Sequence, residues 1–186
     1  MGKKEYGRIQ VDPMAEISKP LTKTSRILSV YHLFLNCEEV SFLEFTLNFG
    51  VSQRTALRDI RLLQQAGVLE ARWDRKRKAF VPVTLEPFSL EEQENKTRQK
   101  YLEKLRRLCI LIRRMAEEDR ENGMNKIELY REILPGIPDR TRQRDFKELE
   151  ELGYSIWYEP GYGGEPGRWR YEIPSTYGLA TIPRMG

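Results

Sequence analysis

Two stretches of this chain read alike. Arg54-Thr55-Ala56-Leu57-Arg58-Asp59-Ile60-Arg61 returns as Arg140-Thr141-Arg142-Gln143-Arg144-Asp145-Phe146-Lys147, 86 positions later. Leu63 and Gly67 continue the match as Leu149 and Gly153. Both copies follow R-T-x-x-R-D-(apolar)-(basic)-x-L-x-x-(apolar)-G. The apolar positions have helical spacing, and the glycine sits where a helix ends. The chain must therefore build the same small helical device twice, and its 186 residues leave room for two small domains. The expected fold class is mainly α with small β-hairpins (α+β), two tandem units joined by a long helix.

Composition removes several classes. Charged residues make up 32% of the chain, and mean hydropathy is −0.64. No run approaches the roughly 18 apolar residues of a membrane span. Residues 1–22 hold Lys3, Lys4, Pro13 and Pro20 without the apolar stretch of a signal peptide. Tyr6 stands where a myristoylation signal after Met1-Gly2 needs Ser or Thr. Cys37 and Cys109 are far apart and lack ligand-like neighbours, so both read as buried, reduced thiols. A net charge of +4 suits a nucleic-acid partner without establishing one. The expected location is the cytoplasm, at the nucleoid.

Apolar spacing over 24–36 predicts a first helix. Ser41 caps a short second helix over 42–48, with Leu43 and Leu47 expected on its inner face. Gly50 breaks that helix, Val51 plugs the turn, and Ser52 caps a third that stops at Gly67. Residues 68–73 and 79–83 around a polar tip read as a hairpin. Ser89-Leu90-Glu91-Glu92 reads as a capping box opening a helix to about Asn122, roughly 50 Å long at 1.5 Å per residue. Tyr101, Leu105, Leu108, Ile112 and Met115 form its apolar stripe, widened by Leu102, Cys109 and Ala116. A further short helix carries Leu129 and Ile133, which align with Leu43 and Leu47 at the same offset of 86, and strands over 154–159 and 168–173 flank a glycine-rich tip. The expected organisation is an arm (1–22), a first unit (23–86), a solvated helical linker (87–104), a second unit (105–175) and a tail (176–186). Three helices and a hairpin is the order of a winged helix-turn-helix.

On the first repeated helix Val51, Ala56, Ile60 and Leu63 face a core. Gln53, Arg54, Leu57, Arg58 and Arg61 then face away. Arg54, Arg58 and Arg61 are spaced i, i+4, i+7, and like charges so placed oppose the helix by a few tenths of a kcal/mol per pair. Leu62 and Gln65 stand where acidic partners would relieve them. An anion against this face resolves the conflict, and arginine reaching guanine edges in the major groove supplies one. Ser52 and Thr55 join the candidate DNA-binding set at the helix start. Arg72, Arg75, Lys76, Arg77 and Lys78 put five positive charges within seven residues of the hairpin, suited to backbone phosphate. The second copy offers Arg140, Thr141, Gln143, Arg144 and Lys147. There Glu148 and Glu151 lie four residues after Arg144 and Lys147, so the stripe is expected to be half answered within its own helix. Arg142 replaces Ala56 and is expected to disturb packing or to snorkel. Asp59 and Asp145 are expected to pair with a basic group on a neighbouring helix. Trp73, Trp157 and Trp169 are expected in the core. The first unit therefore ranks as the stronger reader of DNA.

Val51-Ser52-Gln53-Arg54-Thr55-Ala56-Leu57-Arg58-Asp59-Ile60, continued by Leu63 and Gly67, resembles the helix-turn-helix of WYL-domain transcription regulators and is similar to that of DeoR-type repressors. The resemblance covers both units and is closest over 24–83. It implies a bacterial or phage DNA-binding regulator of winged-helix fold. Such regulators continue into a sensor domain, whereas only 175–186 follow the second hairpin here. The expectation is a regulator without a sensor, or a piece of a longer one, and no small-molecule effector.

An enzyme is not expected. The one histidine, His32, lies in the first helix, and no paired carboxylates, phosphate loop or Cys/His cluster is present. No cofactor or metal is expected. The leading expectation is a sequence-specific regulator of double-stranded DNA, dimeric through the long helix or the second unit. The alternatives are a phage or plasmid replication initiator or DNA-architectural protein, and a winged-helix protein-interaction module.

Overall fold

The structure is a computed structural model, and it describes residues 21–117, 126–165 and 167–172. Among them run six helices and five strands. Helix α1 is Lys23–Asn36, capped by Thr22. Strand β1, Val40–Ser41, leads into α2, Phe42–Phe49. Helix α3 is Gln53–Gln65. Strands β2, Glu70–Asp74, and β3, Ala79–Thr84, form the first hairpin. Helices α4, Lys96–Glu117, α5, Lys126–Ile133, and α6, Asp139–Glu151, follow. Strands β4, Ser155–Glu159, and β5, Arg168–Glu172, end the described chain. The α+β class is as expected, and no described helix is long and apolar enough to cross a membrane.

Local signals act where they were read. Ser41 Oγ accepts from Glu44 N, and the Glu44 carboxylate accepts from Ser41 N at 2.6 Å, closing a capping box at α2. Ser52 caps α3 by accepting from Thr55 N. Both repeated helices end on the same glycine turn. Gly67 N donates to Gln64 O and Val68 N to Leu63 O; Gly153 N donates to Glu150 O and Tyr154 N to Leu149 O. Both glycines have positive φ, as this cap requires. Strand β1 is a surprise: Val40 pairs with Phe80 and Ser41 with Ala79, giving a three-stranded sheet of order β1-β3-β2. The second sheet has two strands, β4 and β5.

Helix α4 departs most from expectation. It begins at Lys96, not at Ser89. Asn95 Oδ1 accepts from Thr97 N and Arg98 N at its start. Residues 85–95 are irregular because their backbone serves another helix. Phe88 N donates to Gly67 O and Glu91 N to Gln65 O at the end of α3. Those carbonyls have no partner within their own helix, and satisfying them outweighs a capping box worth about 1 kcal/mol. Within the stretch read as a solvated linker, Leu102 is buried while most of its neighbours are exposed. Leu108, Cys109, Ile112 and Met115 complete a stripe packed into one continuous core with α1, α3, α5 and α6. The stripe is thus covered within the chain itself. Across the two halves Tyr154 Oη lies 3.3 Å from His32 Nδ1. The arm before residue 21, the end of α4 near Asn122 and the tail from 173 lie outside the described residues.

The second short helix also corrects the reading. Leu43 and Leu47 do not face inward; they are exposed, and Glu44 and Phe45 are buried instead. The burial pattern of 42–50 recurs at 127–135, one residue short of the α3–α6 offset. The counterparts of Leu43 and Leu47 are therefore Glu128 and Glu132, not Leu129 and Ile133. The longer turn through Leu134, Pro135 and Gly136 absorbs the slip.

Candidate nucleic-acid interface

Helix α3 is held by its inner face. Ala56, Ile60 and Leu63 are buried and Val51 is half-buried. Asp59 is fully buried, and Arg26 of α1 grips it with both ends of its guanidinium, Nε to Oδ2 at 2.6 Å and Nη2 to Oδ1 at 3.0 Å. That hydrogen bond to Asp59 raises the Arg26 pKa. Helix α6 is held alike: Arg107 of α4 donates through Nε to Asp145 Oδ2 at 2.7 Å and through Nη2 to Oδ1 at 3.2 Å. Burial would lower the Arg107 pKa, but the Asp145 fork outweighs it and the pKa rises. Tyr130 Oη adds a donor to Asp145 at 2.7 Å. Its counterpart in the first half is Phe45, which has no hydroxyl. Burial first, then Asp145, pushes the Tyr130 pKa well up.

The aspartates thus have the structural role expected of them. Their partners were missed, although a signal exists. Arg26-Ile27-Leu28-Ser29-Val30-Tyr31 and Arg107-Leu108-Cys109-Ile110-Leu111-Ile112 share an Arg followed by the same apolar spacing, offset by 81.

With the aspartates turned inward, the basic residues turn outward. Ser52, Gln53, Arg54, Leu57, Arg58 and Arg61 are exposed on α3, and Thr55 is half-buried beside Ser52. No ion pair holds Arg54, Arg58 or Arg61 among the described residues. Gln53, at the start of α3, shares a groove with Arg77 and Lys78 of the β2–β3 tip. Asp74 Oδ1 accepts from Lys76 N at 2.8 Å and Arg77 N at 3.0 Å, folding the turn. The backbone bond from Arg77 leads in holding the Asp74 carboxyl below its ordinary pKa. Lys78 has a positive φ of 52° and closes the turn. Arg75, Lys76 and Lys78 are exposed without an ion pair among the described residues. Arg77 differs, because Nη1 donates to Glu39 at 3.0 Å and so ties the tip to the chain before β1. Arg72 pairs with Glu70 at 3.4 Å.

The second face is more open than expected. Glu148 does not answer Arg144; it pairs with Lys104 of α4 at 2.7 Å, because the core turns it towards that helix. Arg140, Gln143, Arg144 and Lys147 are exposed, Thr141 is half-buried, and none of the three cations has an ion pair among the described residues. Arg142 is buried rather than snorkelling to water, and its Nε donates to Asp139 Oδ1 at 3.3 Å. No side-chain cap precedes α6, where Pro138 stands in place of Ser52.

Trp73 and Trp157 are exposed rather than in the core. Trp73 packs on Phe42 and Phe80, with ring centroids 5.0 and 4.9 Å away. The side chain of Trp169 lies outside the described set. Cys109 is buried, which pushes its thiol pKa well up, and Cys37 is half-buried. No group of three metal-ligating side chains occurs among the described residues. No model of a known protein family and no curated protein matches the chain.

Proposed function

We propose that this protein is a sequence-specific, double-stranded-DNA-binding transcription regulator built from two winged helix-turn-helix units. The order α1-β1-α2-α3-β2-β3, with a three-stranded sheet, supports a winged helix in the first half. One observation carries the reading. Gln53, Arg54, Arg58 and Arg61 stand outward on α3 without ion pairs among the described residues, and Gln53 shares a groove with Lys78 of the tip that also carries Arg75 and Lys76. Helix α3 enters the major groove, where arginine meets guanine edges and Gln53 meets adenine. The tip meets phosphate and supplies affinity and salt dependence. Arg77 is assigned to holding the tip, not to DNA. Because Glu148 is engaged with Lys104, α6 keeps its own basic face for a second contact through Arg140, Gln143, Arg144 and Lys147. Such a protein works in the cytoplasm, at the nucleoid.

The test is fluorescence anisotropy on fragments selected from a genomic library, across a salt series. Arg54→Ala and Arg58→Ala are each expected to weaken specific binding by about 1–3 kcal/mol. Lys76→Ala is expected to weaken all sequences alike and to flatten the salt slope by about one. Binding that ignores salt, or that survives both arginine changes unaltered, rules the reading out.

A further inference from the structure

Helices α3 and α6 are two versions of one surface. Burial matches position by position from 53 to 63 and from 139 to 149, apart from Leu62, which is buried, and Glu148, which is half-buried. Their outer faces therefore correspond residue by residue. Arg54 and Arg58 return as Arg140 and Arg144, and Arg61 returns as Lys147. Two positions change chemistry. Gln53 gives way to Asp139, which the fold itself engages through Arg142 at 3.3 Å and Arg131 at 3.8 Å. Leu57 gives way to Gln143, and both are exposed.

Leu57 is 48% exposed and is the one exposed apolar side chain of α3. It stands one turn after Gln53 and Arg54 and one turn before Arg61, so cations flank it along the helix. Gln143 shows that this fold accepts a polar side chain at that place, so the core does not call for a leucine. Leu57 and Gln143 are each the fifth residue of their helix. Base edges are met from that N-terminal part of a recognition helix. The major groove offers phosphate to the cations but only one apolar group, the 5-methyl of thymine. Against the amino group of cytosine or adenine, or O6 and N7 of guanine, a leucine would take a polar group from water and return no hydrogen bond. A glutamine has the opposite preference. Its amide accepts from N6 and donates to N7 of adenine.

Resting on the DNA-binding role of α3 and α6, we propose that the two helices read unlike bases at this matching position. Leu57 packs on the 5-methyl of a thymine, and Gln143 pairs with N6 and N7 of an adenine. The site for one chain then has two unlike halves. The repeated arginines make the same demand in each half, and the fifth helix residue makes a different one.

The test uses the full chain and DNA fragments that it selects from a genomic library. Each thymine of the selected site is replaced in turn by deoxyuridine, which removes the methyl and keeps the base pair. At one thymine the replacement is expected to weaken wild-type binding about fourfold and to leave Leu57→Ala unaffected. Leu57→Gln, which copies α6, is expected to select adenine over thymine at that position by about fivefold or more. Gln143→Leu is expected to make the reverse change in the other half. Circular dichroism melts check that each variant is folded like wild type. Wild type that ignores every replacement, or a sensitivity that Leu57→Ala retains at every thymine, overturns the role of Leu57 while DNA binding stands. Gln143→Leu that selects the wild-type sequence overturns the role of Gln143. A chain without salt-dependent affinity for DNA overturns the DNA-binding role and both assignments with it.

Discussion

Asp59 and Asp145 show how one residue can settle the orientation of a helix. Each lies among outward-facing cations in sequence, yet each is buried, because an arginine from the helix behind brings two matched donors to its two oxygens. Turning the aspartate inward turns Arg58 and Arg144, its neighbours in sequence, outward. His32 is a different buried polar group. Burial holds its imidazole below the ordinary pKa of 6.5, with Tyr154 Oη at 3.3 Å. The folded state therefore prefers the neutral ring, and the unfolded chain takes up the proton first. This part of the stability is complete above about pH 6.5 and is lost as pH falls through the folded value. Wild-type stability, followed by urea titration from pH 7 to pH 5, is expected to decline more steeply than that of His32→Gln. Parallel declines would show that His32 does not titrate on unfolding.

At the scale of elements, the helix ends were the most legible part. Ser41 with Glu44, Ser52, Gly67 and Gly153 act within a few residues of themselves, and the structure uses each as its local chemistry suggests. Ser89 with Glu92 has the same chemistry and starts no helix, because residues 85–95 bind the carbonyl end of α3. Gly67 belongs to that junction. Its φ is +67°, and a Cβ there would lie 2.5 Å from Phe88 O, 2.6 Å from an Arg106 guanidinium nitrogen and 2.7 Å from Ser89 O. Gly50 has a similar φ of +60° but open space around it. Gly50→Ala is therefore expected to cost about 1 kcal/mol, the conformational term alone. Gly67→Ala adds backbone displacement and is expected to cost clearly more in chemical denaturation. Equal costs would mean that residues 85–95 do not hold the end of α3.

At the scale of the molecule, α4 turns two small units into one body. Each unit alone would bury a thin core, and α4 joins them by packing on α1 and α3 as well as on α5 and α6. Unfolding is accordingly expected as one transition, with calorimetric and van't Hoff enthalpies equal. Leu105→Ala is expected to lower stability by about 2–5 kcal/mol without splitting that transition. Two separate transitions in wild type would show that the halves fold independently. The same packing governs the electrostatics. By taking Glu148, Lys104 leaves Arg144 open, so the two basic faces are less unequal than their own helices suggest.

What could be read along the chain was whatever acts over four or five residues: the repeated helix, its caps, its cationic outer face, and the hairpins. Apolar spacing also placed Ala56, Ile60 and Leu63 in the core. What could not be read depends on neighbours distant in sequence. Leu43 and Leu47 have the spacing of a buried face, yet Phe45 takes the core side, and a helix with two apolar faces does not announce which one will be covered. Glu148 is four residues from Arg144 but closer in space to Lys104. Arg26 finds Asp59 across 33 positions. Local sequence sets what each element can be, and packing against the other elements sets which side it shows.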